Sequence, residues 1–141
     1  MKIRLAGIII LTLSASTIYA GSESAELKIL KAEKQTYFDG SPQCEITSSL
    51  TNKTSISFQS YSPKVQYYDV NGYLIDDATY FFKNVRPGKT STYSEVVENS
   101  TCEEIDKIVV EKIHYCEHGG KFWNGCEKYL VLLDGVKPLK D

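Results

Sequence analysis

The sequence predicts an all-β domain, and three observations carry this prediction. Tyr, Val, Ile, Thr and Phe dominate the segments between turns, as is typical of pleated sheets. Turn signals recur at the spacing of antiparallel sandwiches. The helical period is weak outside residues 25–34. We therefore expect a fibronectin-III-like or immunoglobulin-like antiparallel β-sandwich of about seven strands, with an open barrel as the alternative.

Turn residues divide the chain into the predicted strands. Asn71-Gly72 is the strongest hairpin signal, because Asn-Gly favours the two-residue turn that joins antiparallel strands. A bend is expected at Ser62-Pro63, because proline cannot donate a hydrogen bond to a neighbouring strand. Strands are predicted at residues 25–38, 44–51, 55–70, 73–83, 90–97, 105–116 and 127–133.

The first 20 residues have the pattern of a secretory signal peptide. Lys2 and Arg4 precede an apolar run over residues 5–13, and small residues lead to a cleavage point after Ala20. The run is about half the ~20 apolar residues that span a membrane. We expect residues 1–20 to be removed on export. Residues 21–141 would then form one domain without a membrane span, either periplasmic or secreted.

The charge balance of the exported part excludes some partners. Of 16 Lys and Arg, the leader contains Lys2 and Arg4, which leaves 14 against 18 Asp and Glu and a net charge of −4. Nucleic acids and anionic membrane surfaces attract basic proteins. Neither is an expected partner of this chain.

Four cysteines remain after cleavage, and an oxidising compartment favours two disulfides. Cys44 and Cys102 begin strands that would run in the same direction, so they are expected at similar height. Cys116 and Cys126 flank the last predicted turn. We therefore expect the pairs Cys44–Cys102 and Cys116–Cys126.

No pattern in the chain predicts catalysis, and no cofactor is expected. The Gly-x-Ser-x-Gly motif of serine hydrolases is absent, and the only histidines are His114 and His118. Together with Cys116 and Cys126 these histidines offer a zinc-site alternative. Their spacing matches no standard zinc motif, and disulfide formation would remove the thiolates. We expect a non-enzymatic protein without a metal site.

Aromatic residues are the candidate binding groups. The chain has 10 tyrosines, and alternation along a strand turns one of two neighbours outward. Exposed aromatic side chains supply contact area at low entropic cost. Phe122 and Trp123 lie at the tip of the last hairpin. The candidate contacts with a protein partner are Tyr67, Tyr68, Phe81, Phe122 and Trp123.

Several motifs follow one another in an order that resembles a known family. They are Cys44-Glu-Ile46, the run Val65-Gln-Tyr-Tyr-Asp-Val-Asn-Gly72, Pro87-Gly88-Lys89, Cys102-x-x-Ile105-x-x-Ile108-x-Val110 and the pair Cys116 and Cys126. This order resembles the small secreted enterobacterial proteins called interleukin receptor mimic proteins. Residues 65–110 are also similar to bacterial FxLYD-type β-domains. The resemblance implies a fibronectin-III-like fold, binding of host cytokines and a homodimer, often formed by strand exchange.

The expected function is therefore binding of a protein, with host cytokines as the partner class. An exposed aromatic sheet face would make the contact. The alternative is a periplasmic inhibitor or envelope-stress module. Such a protein would insert the Cys116–Cys126 loop into a bacterial-envelope or lysozyme-type enzyme.

Overall fold

A computed structural model describes residues 23–133 and 137–138. The predicted leader, residues 1–20, lies outside the described residues. No helix in the described part of the chain is long and apolar enough to cross a membrane.

Ten strands and two short 3-10 helices make up the described structure. The strands are β1 (Ala25–Thr36), β2 (Pro42–Asn52), β3 (Phe58–Tyr68), β4 (Leu74–Thr79), β5 (Phe82–Val85), β6 (Thr90–Glu98), β7 (Lys107–His118), β8 (Lys121–Phe122), β9 (Leu130–Leu132) and β10 (Lys137–Pro138). The 3-10 helices span Cys102–Glu104 and Asn124–Tyr129.

The strands form two sheets packed as a sandwich, which confirms the predicted fold class. The first sheet has the order β6-β2-β1-β9. The second has the order β10-β7-β3-β4, with β5 also paired to β3 and β8 to β7. The pairs β1–β9 and β7–β10 are short and parallel, whereas the longer pairs are antiparallel.

The core between the sheets contains a predicted row of β2 and several aromatic rings. Cys44, Ile46 and Leu50 are all buried on one face of β2, as their alternation predicts. Ser48 lies in the same row, and its hydroxyl donates to the carbonyl of Tyr93 at 3.2 Å. The largest fully buried side chains are Tyr61, Tyr67, Tyr80, Phe58 and Phe82.

Two predicted strands have different boundaries in the structure, and Pro63 accounts for the first difference. The predicted strand 73–83 is divided into β4 and β5, which pair with β3 on either side of Pro63. At the break, the Tyr80 N–H donates to the Pro63 carbonyl at 2.9 Å. The predicted strand 127–133 is also shorter, because residues 124–129 form a 3-10 helix.

Pro63 also faces irregular pairing on its other side. The register between β3 and β7 shifts twice, which leaves Glu111 and His114 as extra residues of β7. Such bulges are expected where a ladder hydrogen bond is missing. They change the alternation of β7, so that Val110, Ile113 and Cys116 are all buried despite their spacing of three.

The predicted Asn-Gly hairpin is present and is fixed by an aspartate. The Asp69 carboxylate accepts hydrogen bonds from the N–H groups of Asn71 and Tyr73, each at 2.9 Å. Gly72 has φ +83°, a conformation in which a Cβ would be strained. The turn that joins β3 to β4 therefore needs this sequence.

Two disulfides join Cys44 to Cys102 and Cys116 to Cys126, the pairing expected from strand order. The first links β2 to the connection that crosses from the first sheet to the second. The second closes the loop that follows β7. Their Cα–Cα distances are 4.9 Å and 6.6 Å.

Strand directions place the connections at two opposite ends of the sandwich. One end, called the upper loops, consists of residues 37–41, 69–73 and 99–106. The other end, called the lower loops, consists of residues 53–57, 86–89 and 119–129. The two ends differ in charge and in exposed apolar side chains.

Candidate protein-binding surface

Tyr67 is not a surface residue, which corrects one predicted binding contact. Its side chain is fully buried, and its hydroxyl lies 2.6 Å from the hydroxyl of Tyr80. Burial raises the pKa of both phenols above the ordinary value for tyrosine. Tyr68 points the other way, and its hydroxyl donates to Gln66 Oε1 at 2.8 Å. Tyr68 therefore remains a candidate, and Tyr67 is a core residue.

Phe81 and Phe82 also divide between surface and core. Phe82 is buried, whereas Phe81 is partly exposed in the connection between β4 and β5. The Phe81 ring lies edge-on to Tyr93 of β6, with 6.0 Å between centroids. Phe81 thus covers the side edge where the two sheets meet.

Phe122 and Trp123 have different environments within the loop closed by Cys116–Cys126. Phe122 is 76% exposed and touches the Tyr115 ring at a centroid distance of 5.6 Å. Trp123 is half-buried, and its indole packs over Gly125, where a Cβ would lie 2.6 Å from the ring. Tyr129 adjoins the same indole at 5.9 Å. Phe122 is therefore available to a partner, whereas Trp123 stabilises the loop.

The predicted binding residues do not form one surface. Tyr68 lies at the upper end of β3, Phe81 at a side edge and Phe122 in the lower loops. The predicted aromatic sheet face is therefore not found as a continuous patch. Each remaining candidate would serve a different partner contact.

The upper loops contain exposed apolar side chains that were not predicted as contacts. Phe38 is 91% exposed and lies 4.6 Å from the Tyr37 ring, centroid to centroid. Val70, Tyr73 and Leu74 are also exposed, in and beside the β3–β4 turn. The sequence held a signal for Tyr37 and Phe38, because two aromatic residues directly precede Asp39-Gly40, where a turn begins.

Charges also separate between the two ends. The upper loops hold acidic residues and no Lys or Arg; the acids are Asp39, Asp69, Glu103, Glu104 and Asp106. The lower loops hold mostly basic residues; these are Lys53, Arg86, Lys89, Lys121 and Lys128, with Glu127 as the acid. The sandwich is therefore negative at the end with the most exposed apolar groups.

Short-range hydrogen bonds hold the upper loops in place. Thr101 and Glu104 form a capping box, in which each side chain bonds the other residue's backbone N–H. Asp39 accepts from the hydroxyl and the N–H of Ser41, at 2.7 and 2.9 Å, and these bonds lower the pKa of its carboxyl. Asp39 is therefore charged at neutral pH.

The zinc alternative finds no support in the geometry. Cys116 and Cys126 are joined to each other, and His118 Nδ1 lies 3.0 Å from the Ser57 carbonyl. Within residues 23–133 and 137–138, no three His, Cys, Asp or Glu side chains are placed to hold a metal ion. The cysteines serve as a structural bridge.

Comparison with known proteins identifies a similar fold. No family model and no curated protein matches the chain. The solved structure of IrmA from Escherichia coli matches 79% of this chain and 92% of that chain, with a TM-score of 0.56 and 12% sequence identity. At this identity the likeness shows a shared fold.

Proposed function

We propose that the protein is an exported, non-enzymatic binding module that recognises a host cytokine through its upper loops. The observation that carries the proposal is the nearly complete exposure of Phe38 beside Tyr37 and near acidic groups. Exposed apolar clusters with a polar rim are typical of protein-binding sites. Buried aromatic anchors supply much of the binding energy in such interfaces.

Rigid attachment of the upper loops supports the proposal. The Cys44–Cys102 disulfide ties the connection 99–106 to β2. Asp69 and the capping box fix the other local conformations. A loop that is already ordered loses less entropy on binding, so more of the contact energy becomes affinity.

The fold and the motif order support a cytokine as the partner. The motifs resemble those of interleukin receptor mimic proteins, and the fold is that of IrmA. Two disulfides indicate an oxidising compartment, which an exported protein occupies. We propose release from the cell, because a host cytokine is met outside it.

The edge of β1 supports a homodimer. β1 pairs with β2 along its length but with β9 only at Ala25, Glu26 and Leu27. Among the described strands, none covers the other edge of residues 28–36. Open edges pair readily with another strand. We propose a dimer in which a strand of a second copy covers this edge, by addition or exchange, and light scattering should give twice the monomer mass.

Interferometry against a panel of purified cytokines tests the binding function. At least one member should bind the exported protein at or below about micromolar Kd. Phe38→Ser should weaken this binding about tenfold or more, because a central aromatic contact is lost. Phe122→Ser is the matched control at the opposite end and should leave it unchanged. Absence of binding to every member at micromolar concentration would contradict the cytokine proposal.

The exposure of Phe122 favours the inhibitor as a second candidate function. This side chain is 76% exposed on a loop closed by a disulfide, as a residue inserted into an enzyme cleft would be. Under this hypothesis Phe122→Ser is the disruptive variant and Phe38→Ser is the control. Phe122→Ser would abolish inhibition of a lysozyme-type enzyme in a cell-lysis assay, and Phe38→Ser would not.

A further inference from the structure

We propose that a cavity beside the β1–β2 turn is a socket for an arginine side chain of the protein partner. The cavity has a volume of about 200 Å³ and is lined by Tyr37, Asp39, Ser41, Gln43, Glu98 and Asn99. This inference rests on the proposed binding function and names the chemistry of its partner. It concerns one site within the upper end of the sandwich.

Strand register builds the floor of the socket. Gln43 of β2 lies directly opposite Glu98 of β6, so the two side chains stand next to each other on the outer face of the first sheet. Asn99 directly follows β6 and has φ +55°, which turns the chain away from the sheet. The floor thus combines an amide with a carboxylate.

The β1–β2 turn forms the wall of the socket. The Tyr37 N–H donates to the Ser41 carbonyl and the Gly40 N–H to the Tyr37 carbonyl, each at 2.9 Å. Gly40 has φ +89°, which favours glycine at this point of the turn. This tight turn places Tyr37 and Asp39 on the same cavity as Glu98.

The charge of the lining selects a cation. Asp39 is held in its charged form by Ser41, and Glu98 supplies a second carboxylate. None of the six lining residues is basic. Neither carboxylate forms an ion pair with another described residue. A cationic group from outside would therefore find two uncompensated negative charges.

Gln43 points to a ligand with several hydrogen-bond donors. The residue is 8% exposed, yet its amide forms no side-chain hydrogen bond with the described part of the chain. The residue lines the cavity, so its amide can exchange hydrogen bonds with a ligand that enters it. Its carbonyl oxygen, together with two carboxylates, offers more acceptors than a single ammonium can satisfy.

The planar guanidinium of arginine fits these groups best. It carries five N–H donors in a fixed plane, which suits paired carboxylate and amide oxygens. It also stacks on aromatic rings, and Tyr37 provides one in the lining. The ammonium group of lysine would supply the positive charge but not the planar set of N–H donors. The expected partner is therefore a basic protein that presents an arginine next to apolar groups able to cover Phe38.

Nuclear magnetic resonance titration of the exported protein tests the socket without any cytokine. The probe is N-acetyl-arginine amide. Two comparison ligands are N-acetyl-lysine amide and the neutral N-acetyl-citrulline amide. Arginine should shift the side-chain amide signals of Gln43 and the backbone signals of Asp39 and Asn99. Citrulline should not shift them, and lysine should bind more weakly than arginine.

Matched variants separate the socket from general attraction to acidic loops. Asp39→Asn with Glu98→Gln should weaken arginine binding about tenfold, because two charged hydrogen-bond acceptors are lost. Asp77→Asn with Glu103→Gln removes the same charge elsewhere and should leave the affinity within about twofold. Equal weakening in both double variants, or no shift at Gln43, would overturn the proposal. If the protein binds a cytokine but not the arginine probe, the arginine-socket proposal is wrong and the cytokine proposal stands. If it binds the arginine probe but no cytokine, only the cytokine proposal is wrong.

Discussion

The hydroxyl groups of Tyr67, in β3, and Tyr80, in the connection between β4 and β5, lie 2.6 Å apart within the core. Among the described residues, each phenol has the other as its hydrogen-bond partner. The Tyr80 ring also packs against Phe82 and Tyr93, at centroid distances of 6.3 and 5.4 Å. One polar contact is thus enclosed by aromatic rings.

Removal of one hydroxyl from this pair should be more harmful than removal of both. Tyr67→Phe or Tyr80→Phe alone leaves a buried hydroxyl without a partner and should cost about 1–3 kcal/mol of unfolding free energy. The double variant leaves neither hydroxyl unpaired and should therefore lose less than either single variant. Urea unfolding of the four proteins measures the coupling, and additive losses would contradict a mutual hydrogen bond.

Stability should fall steeply above pH 10. Burial raises the pKa of Tyr61, Tyr67 and Tyr80 above about 10, the ordinary value for tyrosine, which applies in the unfolded chain. The unfolded state therefore releases protons first, and the folded state loses stability as the pH rises from about 10. Each such tyrosine contributes a slope of about 1.4 kcal/mol per pH unit.

Ultraviolet absorbance of tyrosinate, recorded together with circular dichroism, measures this dependence. The buried phenols of Tyr61, Tyr67 and Tyr80 should ionise only when the circular dichroism signal of the β-sheets is lost. Ionisation of all tyrosines in one step before any unfolding would show that the core phenols are accessible.

Asn52 should be the most sensitive amide of the lower end. Its Nδ2 donates to the carbonyls of Ile56 and Val85 at 2.7 and 2.8 Å, and its Oδ1 accepts from the N–H and hydroxyl of Thr54. Asn52→Asp removes both donors and buries a carboxylate, so it should cost about 3 kcal/mol or more. Asn124→Ala, at an exposed site, should change thermal stability by about 0.5 kcal/mol or less.

The two disulfides should differ in their effect on folding. The loops that they close span sequence separations of 58 and 10, which corresponds to about 4 and about 3 kcal/mol of chain entropy. Cys44→Ala with Cys102→Ala should therefore lower the unfolding free energy more than Cys116→Ala with Cys126→Ala. Denaturant unfolding measures the free energy of both double variants. Mass spectrometry of a non-reduced peptide digest should show the pairs Cys44–Cys102 and Cys116–Cys126 and no other cysteine pairing.

Local features of the fold, such as turns, could be predicted from the sequence. Which side chains of a strand face the core could not, because that depends on the sheet packed against the strand. The Asn71-Gly72 turn depends on neighbouring residues, so its position could be predicted. Which of Tyr67 and Tyr68 faces inward depends on the sheet that packs on β3, and the sequence pattern left both as candidates. The bulges at Glu111 and His114 arise from pairing opposite Pro63, more than 40 positions away.

The candidate site depends on tertiary structure to an even greater extent. Phe122 and Trp123 are adjacent, yet the disulfide and Gly125 place the indole against its own loop and leave the phenyl ring outside. Asp39 and Glu98 are far apart in sequence, and β-sheet register brings them to one cavity. The sequence pattern indicates the residue types, but only the folded structure places residues at one end of the domain.

The acidic upper loops and the basic lower loops place opposite charges at the two ends of the described structure. A positively charged partner that approaches from the side exerts a torque, which rotates the upper loops towards it before contact. Such orientation increases the fraction of collisions that lead to binding. It weakens once the separation exceeds the Debye length, about 8 Å at physiological ionic strength. The rate of association with a positively charged partner should therefore fall as the salt concentration rises.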